Sequence, residues 1–281
     1  MGVKQVVRSV VPVQAWNWLR VMRIRSINLA SPKRHERHTY GGFPFTVEIG
    51  DPIARGWYDQ GWAETPEVAF LRQYGLQPGA TVFDLGAHQC VVAMVFSKIV
   101  EPGLVVALEG NGYNAAVGKR NVEANGIKNL RVIHGAAGGT SGTITFSETW
   151  NGEVNSGSPA VGSVEVRSYT VDELSRLYGP PKVLFIDVEG YEREVLNGAS
   201  NTLSLFPDCF IEVHIGKLEK YGTNAETILT YFPREHYNLF VRIEEEEETF
   251  REFHPGDALP NVRFFLIAIA KVRMDQVRTD Q

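Results

Sequence analysis

The chain has 281 residues, of which 43% are hydrophobic and 22% are charged, as in an ordinary soluble globular protein. This composition excludes collagen, coiled coil and general disorder, and no apolar run reaches the roughly 18 residues that a membrane-spanning helix needs. Cys90 and Cys209 are too few for a disulfide framework or a Cys-rich zinc site, so we expect a cytoplasmic protein.

The first forty residues differ in charge from the rest of the chain. They contain eight lysines and arginines against one acid, Glu36, so residues 1–40 carry +7 and the other 241 residues carry −12. Apolar side chains alternate with these cations, which is typical of an amphipathic segment on an anionic membrane surface. The alternative is a helix that packs its apolar stripe on the domain. We therefore predict a basic amphipathic extension, 1–40, and one domain, 41–281.

From residue 81 onward, short apolar runs alternate with helical patterns, which predicts βαβ units and a mostly parallel sheet. The last two strands flank an acidic run, 244–248, that reads as a solvated loop, and they form an antiparallel pair. The fold class is therefore α/β, a doubly wound sheet of seven strands with an antiparallel last strand. The predicted strands are Thr81–Leu85, Leu104–Leu108, Leu130–His134, Val183–Asp187, Cys209–His214, Tyr237–Ile243 and Val262–Ala270. The predicted helices include Val91–Val100, Tyr113–Ala124, Glu192–Leu203 and Ala225–Phe232.

The first strand-turn-helix, with its loop at residues 82–90, lies where a doubly wound sheet binds a nucleotide. Gly86 allows a close approach of the backbone, and Asp84 ends the strand with a carboxylate. Dinucleotide enzymes normally carry G-x-G-x-x-G, of which only the first glycine is present in this chain. A strand-end carboxylate suits the zwitterionic amino-acid end of S-adenosylmethionine better than a pyrophosphate. Glu109, at the end of the next strand, is placed to accept both ribose hydroxyls.

A downstream block resembles a known family. The segment from Val183 through Ile186-Asp187-Val188-Glu189-Gly190-Tyr191-Glu192 to Gly198-Ala199 is similar to the "IDxEGxExxxLxGA" block of the FkbM-like methyltransferases. Other segments match in order over about residues 41–270: Trp57-Tyr58, Asp84-Leu85-Gly86-Ala87, Glu109-Gly110-Asn111, Asn121 through Asn125-Gly126, Ala136-Ala137-Gly138, Asp172 and Glu212-Val213-His214.

The resemblance implies a class I, Rossmann-like methyltransferase that uses S-adenosyl-L-methionine as methyl donor. It implies acceptors that are hydroxyls of sugars, glycans or secondary metabolites, which become O-methyl ethers. Asp187 and Glu189 are expected to face the cleft where the methyl group moves. The residues expected to contact the cofactor are Asp84, Gly86, Ala87, His88, Glu109, Asn111, Ala136 and Asp187.

Three positions depart from the family pattern. Cys90 stands where the family usually has glycine, which predicts a tighter turn or a slightly displaced cofactor. Phe185 replaces a common lysine and removes a cation from the strand end or the sheet face. Gly110 replaces the usual proline after the ribose-binding acid.

Methyl transfer to a hydroxyl that is not ionised at neutral pH calls for a general base. Asp187, Glu189 and His214 are the candidate catalytic residues, and His214 has an ordinary pKa suited to the task. Structural alternatives stay open: a backbone contact for His214, cofactor binding for Asp187 and helix capping for Glu189. These residues and Glu212 could also hold a divalent cation, but no metal is predicted.

We therefore predict an O-methyltransferase with a small-molecule or glycan hydroxyl acceptor and no nucleic-acid partner, since the main body is acidic. Peripheral contact with the inner face of the membrane through residues 1–40 is a second interaction that the extension allows, beside packing of its apolar stripe on the domain. The alternatives are an N- or protein methyltransferase and a non-catalytic cofactor-binding or scaffold protein on the same fold.

Overall fold

A β-hairpin precedes the α/β part of the chain in the computed structural model, which describes residues 22–23, 26, 33–147, 153–154, 163–244 and 246–273. Its strands are β1, Arg34–Tyr40, and β2, Phe43–Ile49. Two glycines with positive φ, Gly41 and Gly42, form the turn between alternating strand sequences, as expected for a tight hairpin. Tyr40 is fully buried in the core, so residues 33–40 are built into the domain. The predicted boundary between 40 and 41 falls inside this turn, and the rest of the extension, apart from 22–23 and 26, lies outside the described residues.

Helices and strands alternate after the hairpin. The helices are α1 Pro52–Trp57, α2 Pro66–Leu71, α3 Val91–Val100, α4 Gly112–Ala124, α5 Val171–Tyr178, α6 Glu192–Asn197, α7 Ser200–Leu203, α8 Ile215–Leu218 and α9 Ala225–Leu229. The strands are β3 Val82–Leu85, β4 Val105–Glu109, β5 Leu130–His134, β6 Ala136–Ala137, β7 Gly142–Ser147, β8 Glu153–Val154, β9 Ser163–Tyr169, β10 Val183–Ile186, β11 Asp208–Val213, β12 Tyr237–Arg242, β13 Arg251–Glu252 and β14 Phe264–Ala270.

The main sheet has the order β13-β12-β14-β11-β10-β3-β4-β5. Strands β11, β10, β3, β4 and β5 are parallel, and β14 runs antiparallel to both of its neighbours, β11 and β12. The seven predicted strands are all present in this sheet, and the antiparallel last strand is confirmed. The eighth strand, β13, is a two-residue edge strand that pairs with β12.

Apolar side chains cover both faces of the sheet. Every residue of β3 and of β10 is buried, as expected for central parallel strands with helices on both sides. Val82 and Phe185 belong to the core under the hairpin and α3, whereas Phe83 and Ile186 belong to the core on the opposite face. The sheet is therefore doubly wound, and its strand ends form the rim of a cleft.

A second sheet, with the order β6-β9-β7-β8, was not predicted apart from a short strand at 143–146. Its buried residues Ala136, Phe146, Val154 and Val166 form a small core of their own with Tyr221. This core lies beside the ends of β4 and β5, so the small sheet forms one wall of the cleft described below.

Asn121 of α4 and Asn125, the residue that follows this helix, bind the hairpin to the main domain. Asn121 Oδ1 accepts a hydrogen bond from the Glu48 amide at 2.8 Å, and Asn125 Oδ1 accepts one from the Thr46 amide at 2.9 Å. Asn125 Nδ2 donates to the Thr46 carbonyl at 2.7 Å. These contacts satisfy backbone groups along one edge of β2. The Asn121–Asn125 motif of the family resemblance thus has a structural role in this fold.

The predicted helix 192–203 is interrupted. It forms two short helices, α6 and α7, separated at Gly198 and Ala199. A Cβ added at Gly198 would lie 2.2 Å from the Gly138 carbonyl oxygen. The close approach of these two backbones explains both the glycine and the break.

Candidate active site

The carboxyl ends of β3, β4, β10 and β11 meet at one edge of the sheet. Strand β3 pairs with β4 on one side and with β10 on the other. The chain first adds β4 and β5 on one side of β3 and later adds β10 and β11 on the other side, so the strand order reverses between β3 and β10. A ligand cleft is expected at this switch point. Asp84, Glu109, Asp187 and His214 all lie at or just after these strand ends.

The loop after β3 comes very close to the loop after β10. Gly86 has φ +97°, and a Cβ added there would lie 1.7 Å from the Asp187 carbonyl oxygen. Both the backbone conformation and the lack of space therefore require glycine. Asp84, on the strand before it, is buried, and its Oδ2 has no hydrogen-bond partner among the described residues. Burial raises the pKa of Asp84 to about 7.

Glu109 joins the loop after β3 to the start of α4. Its Oε2 accepts a hydrogen bond from the His88 amide and its Oε1 accepts one from the Asn111 amide, both at 2.7 Å. Burial raises the pKa of Glu109 to about 8, although the two amides act in the opposite direction. A carboxylate has about four acceptor sites, so capacity remains for ligand hydroxyls. Asn111 itself caps α4, because its Oδ1 accepts from the Tyr113 and Asn114 amides.

Cys90 adopts the left-handed conformation, φ +63°, that explains a glycine at this position in the family. The thiol is fully buried against α4, and a Cβ added at Gly118 would lie 2.5 Å from Cys90 Sγ. The side chain thus occupies space that Gly118 leaves open in the helix. Because the Cys90 thiol is directed toward α4, its bulk is accommodated beside Gly118; the displaced cofactor stays a prediction.

We expect the effect of Gly118→Ala on the free energy of unfolding to have opposite signs with cysteine and with glycine at position 90. In the natural chain the new methyl group meets Cys90 Sγ, and overpacking should lower the free energy of unfolding by about 1–3 kcal/mol. In a Cys90→Gly background the same change should raise it by about 1 kcal/mol, the helix-propensity gain of alanine over glycine. Urea unfolding of the four variants measures this coupling. Equal effects in both backgrounds would show that the two side chains do not share this space.

Four carboxylates surround His214. Its Nδ1 lies 2.9 Å from Glu192 Oε1, and its Nε2 lies 3.3 Å from Glu212 Oε1, 3.4 Å from Glu189 Oε2 and 3.8 Å from Asp187 Oδ1. Burial by itself lowers the pKa of His214, but the hydrogen bonds to Glu192 and Glu212 outweigh it and raise the pKa to about 10. The imidazole is therefore protonated at neutral pH, which disfavours the predicted use of His214 as general base.

Burial shifts the pKa of Asp187 in the opposite direction from that of His214. Burial, followed by the neighbouring Glu212 carboxylate, raises the pKa of Asp187 well above its ordinary range. Its Oδ1 has no hydrogen-bond partner among the described residues, while 38% of the side chain is exposed. Glu189, in contrast, is paired with Lys217 Nζ, and Lys217 also contacts Glu153 at 2.8 Å. Among the predicted candidates, Asp187 thus combines a raised pKa with a carboxylate oxygen that has no hydrogen-bond partner among the described residues.

Asp187, Glu212 and His214 bring candidate metal-ligand atoms within 4.8 Å of one another. In this arrangement the protonated His214 already provides positive charge between the carboxylates. An ion bound to His214 Nε2 would have to displace that proton.

The titration of these buried groups makes stability depend on pH. The folded-state pKa values of Asp84, Glu109 and His214, about 7, 8 and 10, all exceed the ordinary values of 3.8, 4.5 and 6.5. The folded chain therefore binds more protons than the unfolded chain over this range. The stabilisation from each group is complete below its unfolded pKa and is lost as the pH rises through its folded pKa.

We expect the free energy of unfolding to fall between pH 6 and pH 10, by about 3 kcal/mol per pH unit near pH 6–7, where the three groups together hold about two extra protons, and by about 1 kcal/mol per unit near pH 9–10, since each extra bound proton contributes about 1.4 kcal/mol per unit. Urea unfolding at several pH values measures this change in the free energy of unfolding. His214→Gln should reduce the slope in the upper half of this window. A stability that rises from pH 6 to pH 9 would contradict these protonation states.

Two cavities adjoin at the switch point. The first is lined by Leu108, Glu109, Gly110, Gly135, Ala136 and Phe146. The second has a volume of about 520 Å³, within the range of small-molecule sites, and includes Asp84, Ala87, Phe185, Phe210, Glu212 and Phe265. Both cavities are also lined by Trp57, Gly86, His88, Asp187 and Glu189.

His88 lies at this junction, in the loop after β3. Its Nδ1 is 3.0 Å from Tyr58 Oη, and its ring lies 5.3 Å from the half-exposed Trp57 ring. Burial lowers the pKa of His88 to about 4, so the ring is neutral.

Gly110, the third departure from the family pattern, leaves room for Phe146, because a Cβ there would lie 2.5 Å from the Phe146 ring.

Sequence reasoning missed several residues of the site. Glu192 was part of the matched motif, but its contact with His214 across 22 positions has no sequence signal. Lys217 and Glu153 come from separate elements and also meet only in the fold. Trp57 was quoted in the motif without a role. Tyr58 and Trp62 also line the second cavity.

The sheet order is β5-β4-β3-β10-β11-β14-β12, β14 is antiparallel, and carboxylates lie at the carboxyl ends of β3 and β4. This arrangement is that of a class I, Rossmann-like methyltransferase. The Methyltransferase FkbM domain model matches residues 84–242, more than half of the chain. The chain belongs to this family of methyltransferases, as the motif resemblance predicted. The comparison with curated proteins gives no match.

Several solved structures are similar to the chain. Precorrin-6y C5,15-methyltransferase from Geobacter metallireducens has 15% identity, covers 74% of this chain and 89% of its own, and gives a TM-score of 0.43. A SAM-dependent methyltransferase from Aquifex aeolicus has 15% identity, coverages of 78% and 93%, and a TM-score of 0.41. The T. thermophilus 16S rRNA N2 G1207 methyltransferase in complex with AdoMet and guanosine has 13% identity, coverages of 86% and 52%, and a TM-score of 0.46.

In the part of the chain that the structure describes, no helix has both the length and the apolar character required to cross a membrane.

Proposed function

We propose that the protein is an S-adenosylmethionine-dependent O-methyltransferase whose acceptor is a hydroxyl of a sugar, a glycan or a secondary metabolite. The observation that carries this proposal is the pair of adjoining cavities, which share Asp187 and four other residues at the switch point. A methyltransferase must hold a donor and an acceptor side by side, and two cavities with a common wall meet that need.

Residues of the first cavity, together with Asp84 of the adjoining second cavity, fit the methyl donor. The orphaned, buried Oδ2 of Asp84 offers an acceptor for an ammonium group. Glu109 keeps acceptor capacity for ribose hydroxyls, and Gly110 and Ala136 leave space for a flat ring. The excess of acids also favours a cofactor that carries a positive charge.

When bound, S-adenosylmethionine supplies a methyl group activated by a positively charged sulfur. The chain's own residues then align the acceptor and exclude water. We assign Asp187 as the group that accepts the hydroxyl proton, because its exposed carboxylate borders both cavities and its pKa is raised. His214 and Glu192 act as positioning residues that hold this carboxylate cluster together.

Calorimetric binding of S-adenosylhomocysteine and of NAD, to the natural chain and to Glu109→Ala, tests the cofactor. We expect micromolar binding of S-adenosylhomocysteine, no comparable binding of NAD, and loss of the former in Glu109→Ala. Glu165→Ala, an exposed acid of β9, serves as control. Preference for NAD would overturn the proposal.

Methyl transfer to matched hydroxyl and amine acceptors tests the reaction. Turnover on hydroxyl acceptors supports O-methylation. Turnover on amines or proteins alone would replace it with an N- or protein methyltransferase. Cofactor binding without turnover on any acceptor would favour the scaffold alternative.

Membrane contact through the basic extension is part of the proposal and is supported by its charge of +7. Cosedimentation with phosphatidylserine-containing vesicles should be strong for the full chain and lost on deletion of residues 1–32. This deletion keeps the hairpin, which begins at Arg34. A full chain that stays in the supernatant would end this part of the proposal.

A further inference from the structure

The second cavity has an aromatic floor. Phe185 and Phe210 lie on neighbouring strands, and their rings stack 4.1 Å apart with an interplanar angle of 10°. Phe265, on β14, lies 5.3 Å from Phe210. All three are at least nine-tenths buried, so this floor is rigid and offers only a limited apolar surface to a ligand.

The segment before β3 adds further aromatic surface to the same cavity. Trp57, Tyr58 and Trp62 line it, and Trp57 is 50% exposed. Aromatic surfaces of this kind bind the flat apolar faces of ligands, whether an aromatic ring or the C–H face of a sugar. The cavity therefore favours a ligand with at least one apolar face.

The charged residues that line the cavity are mostly acids. The described residues that line the cavity include one permanently charged cation, Arg263, and six acids. The acids are Glu67, Asp84, Asp187, Glu189, Glu212 and Glu244. Arg263 is already engaged, because it contacts Glu212 at 2.7 Å and also pairs with Glu244. His88 is neutral, as its lowered pKa indicates.

The cations just outside the cavity are engaged in the same way. Arg242 pairs with Glu67 at 3.4 Å, and Lys217 pairs with Glu189. The protonated His214 is held in the same way, because four carboxylates surround it. An anionic ligand would thus meet Glu189, Glu212 and Glu244, while each of the cations named above already has a carboxylate partner, and such juxtaposition of like charge is strongly unfavourable.

Building on the proposed function, we infer that the acceptor is an uncharged or cationic hydroxyl compound with an apolar ring face, and that the cavity rejects acceptors with a carboxylate or phosphate beside the reacting hydroxyl. The aromatic floor and the paired cations together select this class. Phosphorylated sugars and uronic acids are therefore excluded as the methylated unit.

Phenyl β-D-glucoside and phenyl β-D-glucuronide test the inference, because they share a ring and sugar hydroxyls and differ in a carboxylate. Their binding is measured by calorimetry in the presence of saturating S-adenosylhomocysteine. We expect millimolar or tighter binding of the glucoside and about 30-fold or weaker binding of the glucuronide. Equal or stronger binding of the glucuronide, or no binding of the glucoside, would overturn the inference.

Two variants test whether the difference in binding between the glucoside and the glucuronide arises in the second cavity. Glu244→Gln releases one partner of Arg263 and should reduce the discrimination about tenfold. Trp57→Ala, at a half-exposed position, should weaken glucoside binding about tenfold without changing the discrimination. Unchanged values in both variants would place the glycosides elsewhere and contradict the inference.

The two proposals fail in different ways. Absence of S-adenosylhomocysteine binding would reject the proposed function, whereas glycoside binding can still be measured without it. Normal binding of S-adenosylhomocysteine with an inverted preference for the glucuronide would reject only the acceptor class.

Discussion

Gly86→Ala is expected to abolish S-adenosylhomocysteine binding and to lower the free energy of unfolding by about 3 kcal/mol or more. The added Cβ would lie 1.7 Å from the Asp187 carbonyl oxygen, and this backbone atom cannot move without separating the loops after β3 and β10. The positive φ of +97° adds strain for any residue with a side chain. The positions of the loops after β3 and β10, which both border the cleft, thus depend on this contact.

Urea unfolding and calorimetry measure the two effects separately. Gly216→Ala is the matched control, because an added Cβ there meets nothing within 4 Å and the residue lies at the start of a nearby helix. This control should stay within about 1 kcal/mol of the natural chain and retain binding. A Gly86→Ala variant as stable as Gly216→Ala would show that the loops do not meet as described.

Asp187→Asn is expected to reduce kcat for a hydroxyl acceptor by about 10²–10⁴, the usual contribution of a general base. Asparagine keeps the shape of the side chain but cannot take a proton. The affinity for S-adenosylhomocysteine should change by less than about tenfold. Asp257→Asn, in an exposed turn, is the control and should leave both quantities unchanged.

The pH profile distinguishes the base from its positioning residue. In the natural chain, kcat should rise with pH until the Asp187 carboxylate, with its raised pKa, is ionised. His214→Gln removes a positive charge 3.8 Å from Asp187, so this limb should move to higher pH. An unshifted limb in His214→Gln, or full activity in Asp187→Asn, would assign the proton transfer to another group.

Much of the fold could be predicted because its central strands and helices have strong local patterns. The helix Val91–Val100 and the strand Leu130–His134 have the predicted bounds. The hairpin 34–49 was missed although Gly41-Gly42 between alternating runs is a hairpin signal. Strand 163–169 was missed because it follows a Gly/Ser-rich stretch that reads as a loop.

The site was predictable where acids lie at or just after the ends of strands that are neighbours in the sheet, as Asp84, Glu109 and Asp187 do. Protonation states were not predictable, because they depend on neighbours distant in sequence. His214 has an ordinary pKa near neutrality in isolation, but Glu192, 22 residues away, and three other carboxylates raise it to about 10. Cys90 likewise needed the position of Gly118, 28 residues on, before its role in packing was evident.

The position of β14 has a consequence for how the chain is completed during synthesis. This strand, Phe264–Ala270, lies between β11 and β12 and pairs with both, although it follows both of them in the chain and is the last strand among the described residues. Until it emerges from the ribosome, β11 and β12 have no partner between them and expose their backbone groups. A fragment that ends at residue 242 would keep this gap permanently. This half of the sheet is therefore completed from its middle, and only after residue 270 has been made.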